Sequence, residues 1–375
     1  MHLFKVEISY RSMKKQYLNI DYLNLAKEPM YIYLSTLVKR KKDISSRRVL
    51  IVNPSAIGDF VVSLPAICTF LKKHNVATDL LVSPPVKPLA ERVRGISNVY
   101  VAASVHGRSI EQHTEEQHLP EYDAIYVIKL SKPAYRLLKT VSFKHIHTSL
   151  ASYLNYALHL TGKSFLRAKT KQWREINFEI FKENSRDVPF EKLFAFTSQD
   201  YRRIRAFPEL KRRGKERIVL IHTGSGWKMK MWENKNWIET IKTINKFGKF
   251  KFVFVGGKEE AEDLETIRRK LPFKISSLIG KANLRDLLLA MRMSDYFIGI
   301  DSGPRNMAHI ADLRSVSIFG PGPHMFMPLS NKDIVLDKSK GGRVYERFFY
   351  KKNTAIKKIT PDEVVIAFKR LLKNS

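Results

Sequence analysis

The chain has 375 residues, 44% of them apolar, with a single cysteine that excludes an internal disulfide; this is length enough for two domains with cores of their own. No stretch approaches the ~18 apolar residues a membrane-spanning helix needs, and the opening MHLFKVEISYRSMKK lacks the apolar core and cleavage site of a secretory signal, so a reducing cytoplasm is the expected compartment. The formal net charge of +31 calls for an anionic counterpart: nucleic acid, anionic lipid, or a phosphorylated or carboxylated substrate.

In chain order, residues 1–46 read as a basic helical extension. The segment QYLNIDYLNLAKEPMYIYLSTLVKRKK has helix-like apolar spacing, broken at Pro29. It could lie on a membrane surface or pack on the body of the protein; covering a core is the commoner use of an amphipathic helix. From Arg48 onward, β-rich runs at 48–53, 78–83, 98–102, 123–128 and 143–147 alternate with helical patterns such as 60–73 and 149–161. Such alternation implies βαβ units and a parallel sheet. Residues 47–200 are therefore expected to form one αβα domain, and the basic stretch 201–216 a linker.

The alternation restarts at RIVLIH (217–222). A helix ending at Gly248, a strand KFKFVFVGG, an amphipathic helix KEEAEDLETIRRKL with acids first and bases last, a helix NLRDLLLAMRMS and strands YFIGI and SVSIFG follow. A second αβα domain is expected over 217–358. TPDEVVIAFKRLLKN then opens a terminal helix with a threonine cap and proline at its first position.

Three loops carry candidate chemistry. In NPSAIGDFVVSLPA (53–66), a strand turns into a helix through Gly58, and Asp59 stands where a phosphate binder would avoid negative charge. An aspartate capping the helix is one reading; a catalytic carboxylate is the other. HTGSGWKMKMW (222–232) follows a strand and offers Gly224 for close backbone approach and Thr223, Ser225 and Lys230 as donors. GIDSGPRNMAHIA (299–311) is a strand end, an Asp-Ser-Gly-Pro turn and a helix, with Ser302 and Gly303 where free N–H groups suit a diphosphate. Both later loops should share the carboxyl edge of one sheet. The standard fingerprints fail. Met229 replaces the third glycine of G-x-G-x-x-G, and Ala157 replaces the first glycine of a P-loop. With no D-x-D pair and no metal-ligand spacing among the histidines, no metal is expected in the chemistry.

Taken together, PSAIGDFVVSLPAI, IHTGSGWKMKMWENKNW, FVFVGGKEEAEDL and SLIGKANLRDLLLAMRMSDYFIGIDSGPRNMAHIADLRSVSIFGP, in that order, resemble the ADP-heptose:lipopolysaccharide heptosyltransferases, glycosyltransferase family 9. The resemblance spans roughly residues 47–370. It implies the GT-B arrangement, two Rossmann-like domains facing a cleft, with the donor on the C-terminal domain and the last helix, 359–375, packing back toward the N-terminal domain. It implies inverting, metal-free transfer, with Asp59 as the base that deprotonates an acceptor hydroxyl and Gly58 leaving room for substrate. Lys230 and the Ser302–Gly303 helix end would meet the leaving diphosphate. Thr223, Gly224, Ser225, Asp301 and Asn306 would line the donor site, and Glu259 or Glu260 would hold the ribose. Asn306 stands where the family often has histidine, and Val62 and Ser63 where many members place another.

Residues 124–174 contain ten Lys or Arg and no acid. Lys129, Lys132, Arg136, Lys139, Lys144 and Arg167 are therefore candidates to bind an anionic acceptor such as a phosphorylated, Kdo-bearing lipid A core. Other basic groups would meet the anionic inner leaflet of the bacterial inner membrane, at about 1 kcal/mol each. The expected partners are a nucleotide-sugar donor and an anionic glycolipid, with no cofactor and no nucleic acid. Another nucleotide sugar or a protein acceptor on the same fold is the adjacent alternative. A basic nucleic-acid-binding protein is the alternative from another class, although no nucleic-acid-binding motif accompanies the charge.

Overall fold

A computed structural model of the chain describes residues 47–102, 118–148, 173–226, 230–320, 332–338 and 355–373. The extension 1–46, the helix expected over 149–161, Met229 and Arg167 lie outside the described residues. Apolar runs too uniform for a one-sided strand become parallel strands covered on both faces. The first sheet consists of β1 (Arg48–Asn53), β2 (Ala77–Val82), β3 (Ile96–Val101), β4 (Tyr122–Val127) and β5 (Phe143–Thr148), in the order β3-β2-β1-β4-β5. The second holds β6 (Arg217–His222), β7 (Phe250–Phe254), β8 (Ser276–Ser277), β9 (Tyr296–Ile300), β10 (Arg314–Phe319) and β11 (Asp333–Asp337), in the order β11-β10-β9-β6-β7-β8. Every pairing between these strands is parallel. The strand order reverses once in each sheet, between β1 and β4 and between β6 and β9. At such a reversal the chain leaves the two neighbours toward opposite faces, and a crevice opens at their carboxyl ends.

The helices named below are α1 (Ile57–His74), α2 (Lys132–Leu138), α3 (Trp173–Ile180), α4 (Ser198–Ala206), α5 (Asn234–Ile244), α6 (Ala261–Lys270), α7 (Leu284–Arg292), α8 (Gly303–Ile310) and α9 (Pro361–Lys373). Helix α1 stops where Asn75 turns left-handed, at φ 44°, and its N–H closes on the Leu71 carbonyl. Both α4 and α7 open on reciprocal capping boxes, Thr197 with Asp200 and Asn283 with Asp286.

Those two capping aspartates also tie the halves together. Asp200 accepts from Arg92 of the first domain at 2.7 Å and pairs with Arg285 of α7 at 3.2 Å, while Arg203 of α4 reaches Asp286 at 3.0 Å. Burial alone would push Asp200 up, but hydrogen bonds from Arg92 and Thr197 hold it at about 2. Residues 201–216, expected as an irregular linker, thus begin inside a capped helix pinned to both domains. One apolar cluster runs across the junction, from Phe60, Leu64 and Leu80 to Leu220, Leu288 and Met307.

Helix α9 does not pack toward the N-terminal domain as expected. Val364, Val365, Phe368 and Leu371 join the core of the second sheet. Phe368 meets Phe250 and Tyr296 edge-on at 5.5 and 5.1 Å, and the Trp232 indole donates to the Ile359 carbonyl at 3.0 Å, anchoring the helix entry on its own domain. Phe368 is fully buried, so Phe368→Ala is expected to destabilise the protein by about 3–5 kcal/mol. Urea unfolding measures this, and a loss below about 1 kcal/mol would contradict the packing described.

Candidate active site

The first half of the site forms where β1 ends. The loop Asn53–Ala56 is pinned on both sides. The Asn53 amide donates to Ser63 Oγ at 2.9 Å, the Ser63 hydroxyl donates to the Phe60 carbonyl at 2.6 Å, and the Ser83 hydroxyl donates to the Ser55 carbonyl at 2.7 Å. Ser63, at a position where the resemblance looks for histidine, therefore secures the loop. Ala56 occupies the helix cap with no side-chain bond, and Asp59 lies in the first turn of α1, so the capping reading of Asp59 is not realised. Its carboxylate accepts instead from Lys129 Nζ at 2.7 Å. Lys129 follows β4, across the strand-order reversal from β1, and its backbone N–H is bound to the Val52 carbonyl at 3.2 Å. A lysine and an aspartate seventy residues apart thus bridge the first crevice.

The second crevice, between β6 and β9, is bridged in the same way with the order reversed. Lys230 of the loop after β6 donates to Asp301 Oδ2 after β9 at 2.6 Å. Beside this pair the Ser302 hydroxyl donates to the Ile300 carbonyl at 2.9 Å. A hydroxyl has one proton, so the 3.1 Å contact between Ser302 Oγ and His222 Nδ1 makes the imidazole the donor. Burial pulls His222 down to about 4, which keeps it neutral in that role. With its side chain turned inward, Ser302 leaves the first-turn N–H groups of α8 without a side-chain cap. His222 was missed by sequence reasoning. Its signal was a polar residue closing the apolar run RIVLI at the carboxyl edge of a strand.

Glu260 is buried and Glu259 exposed, which separates two neighbours the sequence could not. The Glu260 carboxylate lies against the loops after β6 and β7: a Cβ at Gly224 would fall 1.9 Å from Glu260 Oε1, so a larger residue there would push the carboxylate aside. Glu260 Oε2 has no hydrogen-bond partner, an acceptor ready for a hydroxyl. Thr223, next to Gly224, is buried, and Ser225 is half-buried.

The two halves meet at the helix starts. A Cβ at Gly58 would stand 2.8 Å from Asn306 Nδ2 and 3.5 Å from the Gly303 Cα, so glycine at 58 leaves the Asn306 amide its place where α1 and α8 meet. Asn306 is held from behind, where Arg305 Nη1 donates to its Oδ1 at 3.3 Å. Arg305 is itself buried under α8. It donates to Asp333 of β11 at 3.0 Å and to Ser317 at 3.2 Å, with its guanidinium 4.5 Å above the Phe319 ring.

The expected acceptor residues divide. Lys129 reaches Asp59, and Lys132 begins α2, which follows it at the same sheet edge. Arg136 is exposed on α2. Lys139 ends that helix over the Tyr135 ring, and Lys144 lies at the start of β5, 3.8 Å from Asp123. In a parallel sheet the start of a strand lies opposite the crevice, and α2 runs back to that far edge, so Lys139 and Lys144 are not brought to the site. Among the described residues no helix is long and apolar enough to cross a membrane.

The model of glycosyltransferase family 9 (heptosyltransferase) matches residues 149–343, more than half of the chain. The chain belongs to glycosyltransferase family 9. Its relatives include lipooligosaccharide heptosyltransferase 2 of Campylobacter jejuni, 25% identical over 175 residues, which are 45% of this chain and 54% of that protein. The chain thus spans about half the length of that curated relative. Among solved structures, E. coli ADP-heptose LPS heptosyltransferase II superposes with a TM-score of 0.63 at 16% identity, over 87% of this chain and 99% of that one. E. coli heptosyltransferase WaaC with ADP-2-deoxy-2-fluoro heptose gives 0.60 at 16%, over 88% and 100%. At such identities the likeness is one of fold, and it is the GT-B fold of this family.

The Glu260 carboxyl is pushed up to about 7, by burial first and by the Glu259 charge second. Between the ordinary carboxyl range and that value the folded protein holds a proton the unfolded chain has released, so stability falls as pH rises through the window. Glu260→Gln removes the ionisation. It is expected to raise the Tm of the nucleotide-free protein more at pH ~8 than at pH ~5, and an equal change at both pH values would contradict the assignment.

Proposed function

We propose that this family 9 protein transfers a heptose from ADP-heptose to an anionic lipopolysaccharide inner-core acceptor, a Kdo-bearing lipid A, by a single inverting displacement without a metal ion. The observation that carries this reading is the meeting of the two crevices. The carboxylate of one domain stands in the first helical turn after β1, and that turn touches the uncapped start of α8 in the other domain, beside Lys230. In the reaction the acceptor hydroxyl oxygen attacks the anomeric carbon, its proton passes to Asp59, and the bond from that carbon to the β-phosphate oxygen breaks with its electron pair leaving on ADP. The charge growing on the diphosphate is met by Lys230 and by the N–H groups of the first turn of α8, at the positive end of the helix. Asp301 orients Lys230, and Glu260 accepts from the ribose hydroxyls. The relative solved with a fluorinated ADP-heptose supports the choice of donor.

The net charge of +31 supports an anionic acceptor and a peripheral place on the cytoplasmic face of the inner membrane. No cofactor is required by the steps above.

Two variants test the roles. Asp59→Asn is expected to lower kcat by roughly 10²–10⁴-fold while ADP affinity stays within about twofold; a variant that turns over normally would remove the base. Lys230→Ala is expected to weaken ADP binding about 10–100-fold by titration calorimetry, the range of a charged hydrogen bond, and an unaltered Kd would remove the donor assignment. Mass spectrometry of the product made from ADP-heptose and deacylated core reads the transfer itself. Thermal stabilisation by UDP or GDP rather than ADP would move the reading to another nucleotide sugar.

A further inference from the structure

The helix proposed to receive the diphosphate begins at a serine that does not cap it. Serine, threonine or asparagine at an N-cap accepts a hydrogen bond from a backbone N–H of the first turn. Ser131 of α2, Thr197 of α4 and Asn283 of α7 all do so, with φ of −102°, −90° and −83°. Ser302 holds the same position before α8, yet its φ is −161° and its side chain makes no cap. Two contacts direct it elsewhere. Its hydroxyl gives its proton to the Ile300 carbonyl at 2.9 Å, and its oxygen lies 3.1 Å from His222 Nδ1. A cap uses the oxygen as an acceptor and has no need of the proton, so His222 is the group that occupies what a cap would use. The imidazole is fixed in place, 4% exposed at the end of β6 and paired in register with Gly299 of β9. A second feature at this edge points to a ligand. Glu260, 8% exposed, has its unpartnered Oε2 beside Gly256 and its Oε1 beside Gly224, two residues beyond His222.

We infer that His222 is a positioning residue for donor binding: by supplying the N–H that Ser302 Oγ accepts, it stops the serine from capping α8 and keeps the first-turn N–H groups open to the diphosphate. Without that N–H the Ser302 oxygen is a half-buried acceptor short of a donor. The first turn of its own helix offers the replacement, as it does at α2, α4 and α7. An N–H taken up in that way is lost to the phosphate oxygens. The inference rests on the proposed role of α8 and deepens it. His222 acts only through Ser302 and touches no substrate, so its effect on the donor depends on the serine hydroxyl being there to redirect.

Titration calorimetry with ADP tests it on wild type, His222→Phe, Ser302→Ala and the double variant. His222→Phe keeps a buried ring and removes the N–H. It is expected to raise the Kd about 3–10-fold, the weight of one helix cap. In the Ser302→Ala background the same substitution is expected to change the Kd by less than about twofold, because no hydroxyl is left to redirect. His222→Asn, whose amide nitrogen can stand where Nδ1 does, is expected to stay within about twofold of wild type. Circular dichroism confirms that the variants are folded; if His222→Phe is not, His222→Leu is read in the same way. An equal loss in both backgrounds, no loss in either, or an Asn variant as weak as the Phe variant overturns the inference alone. A wild type that binds no ADP overturns the donor reading and this inference with it.

Discussion

Two lysine–aspartate contacts, one in each crevice, are the constraint on which the rest of the site depends. Every parallel αβα sheet that reverses its strand order opens a gap at that point, and a charged side chain placed in the gap is partly withdrawn from water. It is tolerable there only with a partner of opposite sign. Here Asp59 and Lys129 satisfy each other in one domain and Lys230 and Asp301 in the other, at 2.7 and 2.6 Å. The sign at each strand end is exchanged between the domains. The aspartate follows the first strand of the N-terminal sheet and the lysine follows the first strand of the C-terminal sheet. The first loop after the leading strand thus carries a negative group in one domain and a positive one in the other, the polarity on which the proposed transfer rests.

The remaining contacts serve to keep those two loops in register. At the front, Gly58 lets the start of α1 approach Asn306 and Gly303. At the back, Arg92 and Arg285 share Asp200, and Arg203 takes Asp286. Both aspartates also cap helices, so the charges that join the domains are the same ones that fix where α4 and α7 begin. A shared apolar cluster fills the space between. Asn306 contributes a neutral amide to the front contact, where a histidine would introduce a titrating group.

Much of this was legible in the chain. Strands β1 to β7, β9 and β10 form close to where they were expected because near-continuous apolar runs bounded by turn residues leave little choice, whereas the short β8 and the edge strand β11 were not read from the sequence. The Gly-Asp and Asp-Ser-Gly-Pro loops were recognisable because a phosphate-binding turn and a sharp strand-to-helix bend each demand particular residues. What could not be read was partnership across long stretches of chain. Lys129 resembled any other base in an acid-free segment until β4 placed it beside β1. Glu259 and Glu260 are adjacent and chemically identical, and only the path of the turn before α6 sends one inward. The terminal helix has an apolar face that would suit either domain, and the choice was made by ring contacts at Phe250 and Tyr296. His222 escaped notice because its importance lies in a hydroxyl eighty residues away.

The buried guanidinium of Arg305 gives the rim of the second sheet an unexpected weight. Its counter-charge, Asp333, comes from β11, the outermost strand, and the same carboxylate also accepts from Ser315 and Ser317 at 2.7 and 2.6 Å. An edge strand is ordinarily the most dispensable part of a sheet. In this protein, peeling it away would take the paired carboxylate from a buried cation directly beneath α8, so the periphery and the crevice between the domains are electrostatically a single unit.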